Sequence, residues 1–96
     1  MNRLLFDWDT ANIDHIAKHD VTPEEPEETI LADPIEYDFD PDVEGEPRWT
    51  YVGESASGRI LLVVITMRGE KIRVVTAFEP IRRIKALYLE SKAERQ

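Results

Sequence analysis

Arg59-Ile60-Leu61-Leu62-Val63-Val64-Ile65-Thr66-Met67 (residues 59–67) contains the longest apolar run of the chain, six residues from Ile60 to Ile65. A run this short, bounded by turn signals, reads as a strand, and apolar side chains on both pleat faces require cover on both sides. Before it, Ser55-Ala56-Ser57-Gly58 is a turn; after it, Arg68-Gly69-Glu70 reverses the chain tightly, with glycine inside. The flanking segments alternate. Trp49 and Tyr51 share one face of 48–53, and in Lys71–Ala77 the residues Ile72, Val74 and Thr76 oppose Lys71, Arg73 and Val75. Residues 48–77 are therefore predicted to form three consecutive antiparallel strands with 60–65 the most buried.

Working outward, Ile35, Tyr37 and Phe39 alternate with Glu36 and Asp38, the pattern of a half-exposed strand. Asp40–Pro47 reads as a polar, proline-bearing loop and the most mobile segment. Upstream, Thr22-Pro23-Glu24-Glu25 is a helix start with a capping box, and that helix is expected to end near Leu31, before Asp33-Pro34. Pro26 conflicts with its first turn unless the helix restarts there or begins irregularly. Ala11–His19, capped by Asp9 or Thr10, presents Ile13, Ile16 and Ala17 as an apolar stripe, and Leu4–Trp8 reads as a first strand. Downstream, Glu79-Pro80 opens a last helix lined by Ala77, Ile81, Ile84 and Tyr88, fraying over Lys92–Gln96.

Ninety-six residues make one domain, 1–96, and an apolar fraction of 42% is too high for disorder. With no cysteine there is no disulfide framework and no thiolate metal site. No apolar run spans a membrane and no signal peptide is recognisable at Met1–Asp9, so the expected location is the cytoplasm. Charge is sorted along the chain. Residues 1–46 hold 15 acids against Arg3 and Lys18, a net of −13, whereas residues 47–96 net +5. The overall −8 argues against indiscriminate binding to polyanions, while the basic half can offer a local face to phosphate.

Candidate chemistry follows the cations. His15 and His19 are the only histidines, one helical turn apart; the spacing suits a metal ion, but no third ligand stands at a signature distance, and the alternative is a solvated pair. Arg48 beside Trp49 and Tyr51, Arg59 at the start of the central strand and Arg73 in mid-strand suit RNA, whose phosphates take the guanidinium fork and whose bases stack on rings. Ordinary surface positions are the alternative. There is no phosphate-cradling glycine loop, Ser/His/Asp order or dinucleotide fingerprint.

A longer ordered set of residues resembles one family. Phe6-Asp7-Trp8-Asp9, Asn12, His15-Ile16, Lys18-His19 and Val21-Thr22-Pro23-Glu24-Glu25 are similar to the N-terminal signature of BrnT-type toxins. Arg48-Trp49, Val52-Gly53, Gly58–Val64, Arg68-Gly69, Ile72–Ala77, Arg82-Arg83 and Tyr88 follow that family's order to its last helix. The resemblance implies an α+β, compact RelE-like fold: an antiparallel sheet with short helices packed on one face and a C-terminal helix. It implies a metal-independent ribonuclease toxin of a type II toxin–antitoxin system, with no cofactor. The implied partners are RNA and a cognate BrnA-like antitoxin, with no membrane and no DNA binding by this chain alone. On this reading Lys18, His19, Arg59 and Arg73 are the catalytic candidates. Arg48, Lys71, Arg82 and Arg83 are the RNA-binding candidates. The chain departs from the family pattern at Asn12 (often Lys), Asp20 (Gly), Pro26 (Val) and Phe78 (Arg). Phe78, Pro26 and the net charge favour the alternative, a non-catalytic interaction module that retains the toxin fold.

Overall fold

The computed structural model describes residues 4–95; expectations for Met1–Arg3 and Gln96 lie outside the described residues. The elements run α1 (Thr10–Ala17), α2 (Glu24–Leu31), β1 (Ile35–Val43), β2 (Glu46–Glu54), β3 (Ile60–Arg68), β4 (Lys71–Phe78) and α3 (Arg82–Glu94). The architecture is α+β, and the four strands form one antiparallel meander in the order β1-β2-β3-β4.

The apolar run sits where its composition demands. In β3, Leu61, Val63 and Ile65 face a cluster with Phe6, Ile16 of α1 and Val21, joined by Ile30 of α2. Leu62 and Val64 face the other way, onto Val52, Tyr88 and Ile84. So α1 and α2 cover one face of the sheet and α3 part of the other. The α1–α2 face keeps an apolar groove of about 460 Å³ lined by Leu5, Ile30, Trp49, Tyr51, Ile65 and Met67.

Four local readings change. Leu4–Trp8 is not a strand of the sheet but a single parallel bridge, Phe6 with Ile72. The Asp7 N–H donates to Ile72 O and the Ile72 N–H to Leu5 O, each at 2.8 Å. The segment covers the outer edge of β4, and the chain then turns into α1, so pairing cannot propagate. Asp40–Pro47 is not a loop. β1 runs through Pro41 to Val43 and returns at Glu46 through Glu44 and Gly45, both at positive φ (53° and 90°). An edge strand tolerates proline because one row of its N–H groups needs no partner. The turn is braced by the Gly45 N–H donating to Asp42 Oδ1 at 2.8 Å.

α1 stops at Ala17 rather than His19 because Asp20 takes the left-handed conformation (φ 60°), and the Val21 N–H donates back to Ile16 O. α3 starts at Arg82, leaves Ile81 exposed and continues through Lys92, because Tyr88 Oη and Lys92 Nζ both donate to Glu54 Oε1 on β2. Pro26 causes no break. With the helix entered at Pro23, residue 26 still belongs to the first turn, whose N–H groups have no intrahelical acceptor. Glu25 closes that turn by accepting from the Thr22 N–H at 2.9 Å.

Candidate active site

Register brings the chemistry together. The two-residue turn at Gly69-Glu70 pairs Arg68 with Lys71 and hence Thr66 with Arg73. Continuing the β2–β3 ladder beyond Trp49–Ile65 places Arg48 opposite Thr66. Arg48, Thr66 and Arg73 therefore form one row across three strands on one face, the face that α3 leaves open at this end.

A bulge adds a fourth group. Between the pairs Val64–Thr76 and Ile65–Val74, β4 carries the extra residue Val75. Without it, Thr76 and Arg73 would point to opposite faces, as strict alternation predicts; with it, both reach the same face. The Thr76 hydroxyl meets His15 Nε2 at 3.0 Å. His15, Arg73, Arg48, Arg68, Glu46 and Asn12 line one cleft of about 240 Å³.

Asn12 is the joint that sets α1 against this cleft. It is 4% exposed. Its side-chain oxygen accepts from the Asp9 N–H (2.8 Å), Asp9 Oδ1 accepts from the Asn12 N–H (3.2 Å), and its Nδ2 donates to Asp7 O and Val74 O. A capping box and a tertiary clamp share one amide.

Every arginine of the cleft has a carboxylate. Arg73 pairs with Asp7 (3.3 Å) and Asp9 (3.1 Å), and Glu46 spans Arg48 (3.3 Å) and Arg68 (3.4 Å). The Arg73 guanidinium, helped by the Asn12 N–H, holds the Asp9 carboxyl below the usual range. Asp9 in turn pushes the Arg73 pKa up, against the effect of burial. The Arg48 Nε is buried and has no acceptor among the described residues.

The other candidates stand elsewhere. Arg59 Nη1 donates to Asp20 O at 2.7 Å and Glu25 Oε2 at 2.9 Å, with Glu79 3.6 Å from Nε, so it pins the α1–α2 turn to the sheet. It precedes Thr66, the residue paired with Arg73, by seven positions of an extended strand, roughly 23 Å, and one phosphate cannot bridge both. Lys18 and His19 lie exposed just after α1; the His19 ring packs 5.5 Å from His15 and 5.6 Å from Phe78. Lys71 opposes Arg68 at the hairpin end, and Arg82 and Arg83 open α3. All three are exposed and, with Lys18, form no salt bridge among the described residues. Sequence reasoning missed His15 and Arg68 as cleft residues. The hairpin register would have found Arg68, but the bulge that brings Thr76 to His15 leaves no mark in an apolar Val74-Val75 pair.

The family model described as "Ribonuclease toxin, BrnT, of type II toxin-antitoxin system" matches residues 8–83, a span holding the cleft from Asp9 to Thr76. The chain belongs to the BrnT toxin family. No curated protein and no solved structure matches it. BrnT membership implies a type II toxin ribonuclease with an antitoxin partner. No helix among the described residues is long and apolar enough to cross a membrane. The Phe78 ring lies against that of His19, and Asn12 is a buried clamp.

Proposed function

We propose that this chain is a metal-independent endoribonuclease, neutralised by its cognate antitoxin, and that cleavage occurs in the cleft between α1 and the β2–β4 face. The observation that carries the reading is His15 beside the Arg48–Thr66–Arg73 row: a titratable imidazole within one cleft of three guanidinium groups. His15 takes the proton of an RNA 2′-OH, and the 2′ oxygen forms a bond to the adjacent phosphorus. The P–O5′ bond breaks, and His19, its ring 5.5 Å from His15, protonates the leaving oxygen. Arg73 stabilises the charged phosphorane, a donor role worth ~2.7–4 kcal/mol. Lys18, Lys71, Arg82 and Arg83, which pair with no carboxylate among the described residues, guide the RNA backbone. An acidic segment of the antitoxin covers the cleft, so its affinity falls as salt rises.

The non-catalytic reading has one observation in its favour, the Phe78 ring packed against His19 where the resemblance implies a cation. Expression in cells separates the two. The nuclease reading expects growth arrest that His15→Ala or Arg73→Ala relieves and Phe78→Arg deepens. A wild type that leaves growth untouched, with Phe78→Arg equally silent, sinks it.

A further inference from the structure

Glu46 begins β2 and, with the ladder continued past Trp49–Ile65, stands opposite Arg68 on β3. Its two carboxylate oxygens are divided: Oε1 lies 3.3 Å from Arg48 Nη2 and Oε2 lies 3.4 Å from Arg68 Nη2. Both distances exceed the ~2.7–2.9 Å of a well-made charge-assisted bond. The same guanidinium of Arg48 has a second shortfall, a buried Nε with no acceptor among the described residues. Two forks converge on one loosely held anion, in a cleft that also holds Arg73.

We infer that Arg48 and Arg68 form a second phosphate subsite, separate from the scissile phosphate at Arg73, and that the Glu46 carboxylate occupies it until a nucleic-acid phosphate takes its place. The inference rests on the ribonuclease reading of the cleft and goes beyond it by assigning Arg68 and Glu46. A phosphate offers more acceptor oxygens than a carboxylate, arranged tetrahedrally, so it serves Nη2 of both arginines and also reaches the Nε that Glu46 leaves unpaired. Glu46 is half-buried at 25% side-chain exposure, and Arg68 is open at 52%, so the carboxylate can swing out and a backbone can enter from the Arg68 side. The exchange costs RNA affinity, because one fixed negative charge competes with each incoming phosphate.

The probe is a short RNA with every 2′-OH methylated, which binds but cannot be cleaved, titrated by fluorescence anisotropy at several salt concentrations. Glu46→Gln keeps the shape and removes the competing charge; it is expected to tighten binding about threefold or more at low salt. Arg68→Ala is expected to weaken binding and to lower the slope of log K against log salt by about one phosphate contact. Thermal melts confirm that each variant is folded. Equal or weaker binding by folded Glu46→Gln, or an unchanged slope in Arg68→Ala, overturns the subsite. Cleavage by wild type alongside those two results leaves the nuclease reading standing without it. Tighter binding by Glu46→Gln in a protein that cleaves nothing supports the subsite and removes the nuclease.

Discussion

Charge alone does not make an arginine catalytic; its place relative to the cleft decides. Arg59 and Arg73 look equivalent in sequence, each placed on a strand of the 48–77 segment. Arg59 spends its guanidinium on the Asp20 carbonyl and Glu25, at the end of the sheet remote from the cleft. Burial alone would raise the Glu25 pKa, but the Thr22 N–H and Arg59 outweigh it and hold it low. Arg59→Ala is expected to cost about 1–2 kcal/mol. In a chain this size that is a fall of several degrees in Tm by calorimetry, with cleavage lost only in proportion to unfolding. Arg73 borders the cleft and also pairs with Asp7 and Asp9, so its removal is expected to lower Tm modestly and to cost activity well beyond the fraction unfolded. The cations themselves were legible in the sequence; their partners were not, because Asp7, Asp9 and Glu46 meet arginines 66, 64 and 22 positions away along the chain.

Among elements, the meander over 48–77 was legible because periodicity, glycine turns and the apolar run agree. The two misread strand assignments share a cause: edge position. β1 is acidic and contains Pro41, which excludes a central strand but not an edge one, and Leu4–Trp8 pairs by a single bridge. The packing of α2 on the sheet hinges on Gly53. A Cβ there would lie 2.9 Å from Pro34 Cβ and 3.1 Å from Thr29 Cγ2. The proline ring cannot yield, so Gly53→Ala is expected to destabilise the fold by ~1–3 kcal/mol, read as a lower midpoint in urea. An unchanged midpoint would mean that the α2–β1 connection does not press on β2.

At the scale of the molecule, acidic and basic halves of the sequence are interleaved in space: each cleft arginine is met by acids from the first 46 residues. Stability should follow those acids. The Lys92 ammonium and, less strongly, the Tyr88 hydroxyl hold Glu54 below its usual pKa, as Arg73 does Asp9. A carboxylate depressed in the folded state contributes stability above its unfolded pKa and loses it as pH falls through the folded one. With unfolded values near 3.8 and 4.5, the urea midpoint is expected to hold from neutral pH down to about 5 and to fall below it. The cleft itself was only half legible. Its arginines and the family resemblance were in the sequence, but one bulge and one amide clamp place His15 there. The most direct test is the chemistry of the ends, with purified protein, a structured RNA and excess chelator. The account predicts cleavage that leaves 2′,3′-cyclic phosphate and 5′-hydroxyl ends, lowered a hundredfold or so in His15→Ala and Arg73→Ala. No cleavage by the wild type, products with free 3′-hydroxyl ends, or full activity in both variants would contradict it.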